Sequence, residues 1–190
     1  MFNGLKIAVI GNACGGKTNL SRRLSEIYHL PLVHVDRLQY TENLQLRAFR
    51  ETIQILTQEQ NQTAWVIDGY GPLDILEERL KLSDAIVMID LPIWRHYFWA
   101  MKRVLKNIFL VQRSELPPNS SERNIQHIVK LFKTIRQVHT KMRPEMLRIL
   151  NRDVLKRKTI LIRDLDHWSL IYKGGLLWDG DSDGNTISNN

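Results

Sequence analysis

The run Gly11-Asn12-Ala13-Cys14-Gly15-Gly16-Lys17-Thr18 constrains this chain more than any other stretch. It fits G-x-x-x-x-G-K-[ST], with Gly11, Gly16, Lys17 and Thr18 at the fixed positions. Leu5 to Ile10 precedes it and reads as a short buried strand. Thr18 to Tyr28 follows and reads as a helix, with Leu20, Leu24 and Ile27 on one face. Strand, glycine-rich loop and helix in that order make a cradle for phosphate. Loop N–H groups point at the anion and the helix dipole adds to the attraction. The pattern predicts a nucleoside triphosphate site in which Lys17 neutralises the β and γ phosphates and the Thr18 hydroxyl ligates Mg²⁺.

The rest of the chain alternates strand and helix patterns. Leu32 to Asp36 reads as a second strand, Thr41 to Gln60 as a helix with Leu46, Phe49, Ile53 and Leu56 on one side, and Ala64 to Asp68 as a third strand. Leu73 to Leu82 is helical in pattern, Ala85 to Asp90 a fourth strand, and Ile93 to Leu110 a long helix rich in aromatics and cations. Trp94, Phe98, Met101 and Leu105 follow helical spacing and are expected in the core. Pro117-Pro118-Asn119-Ser120-Ser121 marks a loop and a candidate lid. Ile125 to Val138 and Met142 to Leu155 read as helices, and Thr159 to Arg163 as a fifth strand. Such alternation predicts a three-layer α/β fold with a parallel sheet. One domain is expected over residues 1–172, with a lid region at about 107–140 and a disordered tail over 173–190.

An apolar strand ending in a carboxylate, as at Asp68, is the second half of a phosphate-loop site, where it holds Mg²⁺ or its water shell. Asp36 ends the second strand at the carboxyl edge. It is a candidate general base or substrate anchor, or equally the first-turn carboxylate of the next helix. His34 alternates with valines and is read as packed in the sheet.

Cys14 is the one cysteine, so no internal disulfide can form, and a cytoplasmic address is expected. Within the loop it is a small side chain or, alternatively, an oxidisable thiol. The start leaves no room for a signal peptide, and no apolar run reaches the ~18 residues of a membrane span. No membrane partner is expected on that ground. Charge is unevenly spread. Residues 95–158 carry 16 basic and 4 acidic side chains, a net of +12, while the flanking parts are mildly acidic. The basic segment therefore faces something anionic, or is a solvated helical surface.

Three separated pieces, Gly11 to Leu38, Ala64 to Gly71 and Ser83 to Lys106, resemble the adenylate-kinase-like phosphate-loop NTPases. The resemblance is greatest to the branch labelled "DNA topology modulation protein". It implies the sheet order 2-3-1-4-5 and a lid after strand 4 whose arginines grip the transferring phosphates. It implies ATP and Mg²⁺ as cofactors, with Gly11, Asn12, Ala13, Cys14, Gly15, Gly16, Lys17, Thr18 and Asn19 on the nucleotide and Thr18 and Asp68 on the metal. Arg103 falls at a phosphate-contacting position, with Arg136 and Arg143 as further lid candidates. Trp99 stands where the family stacks an arginine on adenine. After Asp68-Gly69 the family carries an arginine for the acceptor monophosphate. This chain has Tyr70-Gly71-Pro72 there, leaving Arg37 and Arg79 as stand-ins.

The resulting expectation is a kinase that transfers the γ-phosphate of MgATP to a nucleotide or small hydroxylated metabolite, with Lys17, Asp36 and Arg103 as catalytic residues, acting as monomer or homodimer. The alternative is a nucleotide-dependent nucleic-acid-binding or regulatory protein, with the basic segment and its aromatics on the nucleic acid. A membrane-surface role for helix 93–111 is a third reading.

Overall fold

The computed structural model describes residues 4–41, 45–109, 125–176, 178–179 and 186–187. The chain begins with β1 (Lys6–Gly11), α1 (Lys17–Tyr28) and β2 (Leu32–His34), then α2 (Val35–Leu38), α3 (Phe49–Gln60) and β3 (Trp65–Asp68). It continues with α4 (Leu73–Leu82), β4 (Ala85–Ile89) and α5 (Ile93–Phe109). The helical stretch α6 (Ile125–Gln137), a π turn (Val138–Met142) and α7 (Arg143–Leu150) follow, then α8 (Asp153–Lys156), β5 (Thr159–Ile162) and α9 (Leu165–Gly174). Trp178–Asp179 (β6) and Thr186–Ile187 (β7) form a small antiparallel pair.

Strands β1 to β5 form one parallel sheet in the order β2-β3-β1-β4-β5, as the resemblance implied. Alternation along β1 shows why two layers of helix are needed. Ile7 and Val9 join Leu20 and Leu24 of α1 and Ile171 of α9 on one face. Ala8 and Ile10 join Leu56 of α3, Leu76 and Leu80 of α4 and Met146 and Ile149 of α7 on the other. A sheet apolar on both faces must be covered on both, which gives the three-layer α/β fold of phosphate-loop proteins. Gly11 lets β1 approach β4 closely: its φ is 147°, and a Cβ there would lie 2.6 Å from the Ile89 carbonyl oxygen.

Three expectations need correction. Helix α3 starts at Phe49, not Thr41, and Leu46 and Phe49 are exposed. Backbone pairing overrides helical spacing there: Arg47 N donates to Gln39 O at 2.8 Å and the Arg47 guanidinium donates to Leu38 O at 3.0 Å, holding Tyr40 against Leu46. Strand β2 ends at His34, so Asp36 lies in the first turn of α2. The third correction concerns α5. Trp94, Phe98, Met101 and Leu105 are exposed, and the opposite face, with His96 and Ala100, is buried. The reason is crowding. The helix lies so close to the phosphate loop that a Cβ on Gly15 would sit 2.9 Å from His96 Cε1.

The helix from 125 to 150 widens at Val138–Met142, where Arg143 N bonds back to Val138 O, an i to i+5 step. Pro144 has no N–H to offer the Thr140 carbonyl, and the wider turn absorbs the missing bond. The candidate lid loop at 117–121 lies outside the described residues, as does most of the expected tail; Lys173 and Gly174 close α9.

Candidate functional site

The site is built at the carboxyl ends of β1, β3 and β2, where parallel sheets of this order bind ligands. Gly16 caps α1 in the left-handed region, at φ 83°, and no side chain caps the helix. The first-turn N–H groups of α1 are thus left open to an anion, with no acidic residue in that turn to compete. Cys14 is also left-handed, at φ 56°, which curls the loop around its centre. Lys17 is half-buried, and its Nζ donates to Asn12 O at 2.9 Å, folded over the loop it would share with phosphate. Asn19 is exposed on the first turn of α1.

Asp68 ends β3 beside this loop and is 5% exposed. Its Oδ2 accepts from Thr18 Oγ1 at 3.1 Å and lies 3.1 Å from His34 Nδ1. Its Oδ1 is buried and has no hydrogen-bond partner among the described residues. A buried carboxylate oxygen left bare is costly unless something binds it. Among the described residues no cluster of three or more His, Cys, Asp or Glu forms a protein-only metal cage. Mg²⁺ does not need one, because it keeps waters and takes one or two protein oxygens plus phosphate. Thr18 Oγ1 and the bare Asp68 oxygen fit that requirement. His34, expected as a packing residue, is packed in the sheet and also orients Asp68, since β2 and β3 pair in a register that sets the two side by side.

Two walls close the loop, and sequence patterns missed both. His96 of α5 is 1% exposed and its Nδ1 donates to Ala13 O at 2.9 Å. Burial holds its pKa below the ordinary value, and the Lys17 and His139 charges act in the same direction, against hydrogen bonds to the Ala13 and Leu91 carbonyls. The neutral ring is therefore the folded form. Because the unfolded chain takes up this proton more readily, stability falls as pH drops below the ordinary histidine value of about 6.5. His96→Asn should flatten stability against pH just below 6.5 in chemical denaturation, whereas an unchanged slope would assign the acid sensitivity elsewhere.

The second wall is Trp168 of α9. A Cβ on Gly16 would lie 3.3 Å from Trp168 Nε1, and the indole stacks on Tyr172 with centroids 4.8 Å apart. That Nε1 is buried without a partner among the described residues. The signal for α9 was present: Asp164 accepts from His167 N at 2.8 Å as an N-cap, and Leu165, Trp168 and Ile171 follow at helical spacing. Trp99 is half-buried against the core on the α1 and α9 side of the sheet.

The remaining candidates are placed as follows. Asp36 is exposed on α2, its Oδ1 3.8 Å from where a Cβ of Gly69 would stand. Arg37 beside it is exposed. Arg79 cannot stand in as an acceptor-gripping arginine. It is fully buried, and its guanidinium donates to Gly69 O at 2.7 Å and Tyr70 O at 2.8 Å, clamping the turn from behind. Burial lowers its pKa to about 10, Asp68 opposing, so it stays charged at neutral pH. Arg103 is half-buried on α5 and Arg136 exposed on α6. Arg143 is held by Asp90 at the end of β4 through Nε to Oδ1 at 2.5 Å and Nη2 to Oδ2 at 2.9 Å. Asp90, Arg143, Tyr70 and His96 line a cavity of about 10 Å³ beside Asn12, room for about one water. Burial, helped by Asp90, pushes the Tyr70 hydroxyl well above its ordinary pKa and keeps it protonated. Asn12 spans the loop and the far helix, donating from Nδ2 to Ile135 O at 2.9 Å and accepting at Oδ1 from Ala13 N at 2.7 Å.

No family model and no curated protein matches the sequence. Solved structures similar to this one include a shikimate kinase from Aquifex aeolicus vf5, at 18% identity and TM-score 0.41 over 72% of this chain and 82% of that one. A shikimate kinase from Acinetobacter baumannii, in complex with shikimate, shows 16% identity and TM-score 0.42 over 80% and 98%. A gluconokinase from Sinorhizobium meliloti 1021 shows 12% identity and TM-score 0.47 over 90% and 91%. At these values the likeness is one of general architecture, and the site is defined by this chain's own residues.

Proposed function

We propose that this chain is an ATP-dependent phosphotransferase acting on a small acceptor. The observation that carries the reading is the meeting of Lys17, Thr18 and Asp68 around an uncapped helix N-terminus, with one Asp68 oxygen buried and bare. Binding of the triphosphate exchanges the Lys17 bond to Asn12 O for contacts with the β and γ phosphates. Mg²⁺, held by Thr18 and Asp68, neutralises phosphate charge when bound. Phosphoryl transfer asks mainly for positioning and charge stabilisation, and these residues provide both.

The acceptor side is bounded by Asp36 and the Gly69 to Gly71 turn, which Arg79 fixes. Asp36, exposed to an incoming hydroxyl, holds its proton as the new bond forms. With Arg79 committed to backbone carbonyls, the exposed Arg37 is the one of the two stand-ins left to meet an acceptor. Arg103 is assigned a phosphate contact from α5, on the family resemblance alone.

Coupled ADP release from MgATP, measured against nucleosides, nucleoside monophosphates, sugars and hydroxy acids, tests the reading. An acceptor-dependent rate is expected, and Asp68→Asn should lower it about 100-fold or more by weakening metal binding and carboxylate orientation. Tight ATP binding with no acceptor stimulating ADP release would overturn the transferase assignment.

A further inference from the structure

Helix α5 presents to solvent a row of four large apolar side chains. Trp94, Phe98, Met101 and Leu105 are 58%, 61%, 48% and 46% exposed. Their i, i+4, i+7, i+11 spacing makes one ridge roughly 16 Å long. Arg95, Lys102 and Lys106 repeat at i, i+7, i+11 and so form the adjoining row, with Lys102 and Lys106 exposed and the Arg95 guanidinium 4.7 Å above the Trp94 ring. The opposite side of the helix is spoken for: His96 and Ala100 are buried, and Tyr97 stacks on Phe132 of α6 at 5.5 Å. Helix α6 adds Lys130, Lys133 and Arg136. Together α5 and α6 carry seven Lys and Arg and no Asp or Glu.

We propose that this face docks on an anionic phospholipid surface, α5 lying in the plane of the interface. The ridge enters the boundary between headgroups and acyl chains, while the adjoining cations meet lipid phosphates and carboxylates. Trp94 supplies the aromatic anchor common at such boundaries.

The side chains select this occupant over others. A second copy packed ridge to ridge would bring two acid-free cationic helices together, and like charges would oppose the contact. A nucleic acid would answer the cations and stack on Trp94 and Phe98, but offers no apolar volume to Met101 and Leu105. An anionic bilayer surface answers both rows at once. The association is superficial, since among the described residues no helix is long and apolar enough to cross a membrane.

Co-sedimentation of the full chain with lipid vesicles tests this, comparing phosphatidylcholine alone with phosphatidylcholine carrying about 30% phosphatidylserine. Binding is expected to the mixed vesicles and to weaken as salt rises. The double substitution Trp94→Ala with Phe98→Ala should weaken it about tenfold or more, and Lys102→Glu with Lys106→Glu should do the same. All four side chains are exposed, so the thermal midpoint should hold in both variants, which separates lost docking from lost folding. Absence of binding to the mixed vesicles, or binding that survives loss of Trp94 and Phe98, overturns the proposal. So does tighter binding of a single-stranded oligonucleotide through the same residues, or a dimer in solution that the same substitutions dissociate.

Discussion

Lys17→Ala should lower triphosphate affinity about 100-fold and turnover about 1,000-fold while leaving the fold intact. The loss in binding follows from removing one charge-assisted contact to phosphate, worth about 1.5–3 kcal/mol. Turnover falls further because charge on the transferring group is greatest in the transition state, where this ammonium counts for more. The fold has little to lose. Among the described residues the Lys17 side chain bonds to Asn12 O in its own loop, and it belongs to neither core cluster. The thermal midpoint should move by no more than about 4 °C, the shift that roughly 1 kcal/mol produces in a chain of this size. Calorimetric titration with ATP beside a thermal melt decides it. Retained affinity in a folded variant would place the anion site elsewhere.

The second large effect is on stability. Arg143→Ala should cost about 3 kcal/mol, or roughly 6–12 °C in thermal midpoint. The Asp90 side chain is 2% exposed and both its oxygens are met by the guanidinium. Removing that partner leaves a buried carboxylate without compensation. The guanidinium is itself 36% exposed, so water can enter part of the space, which keeps the expectation at the lower end of the range for buried pairs. Adding Asp90→Asn to Arg143→Ala should recover part of the loss, because a neutral amide is cheaper to bury than an unpaired charge. If the double variant is as unstable as the single one, lost packing rather than the stranded charge is responsible.

The sheet was legible because β1, β3, β4 and β5 are short apolar runs, buried on both faces and separated by helical patterns. The loop was legible because phosphate binding by backbone groups fixes glycines at set positions, which composition noise rarely imitates. Other features depend on contacts between distant segments, and local pattern misleads there. The α5 stripe looked like a core face because spacing reports that one side of a helix is apolar, not which side meets the protein. Gly15 and His96 decided that. Helical spacing over residues 41–48 gave way to backbone pairing anchored by Arg47. The Asp90–Arg143 pair joins residues 53 positions apart and leaves no trace in either neighbourhood. His34 was visible as a residue but not as a partner of Asp68, since that pairing needs the strand register.

Trp168 packs against Gly16 although the two lie near opposite ends of the sequence. During synthesis the phosphate loop leaves the ribosome long before the helix that walls it, and β5, the strand leading into that helix, is the last of the five to join the sheet. An emerging chain therefore carries the glycine motif without a finished pocket. Closure of the loop wall waits on α9, and a chain stopped before that helix would leave the loop unwalled beside Gly16.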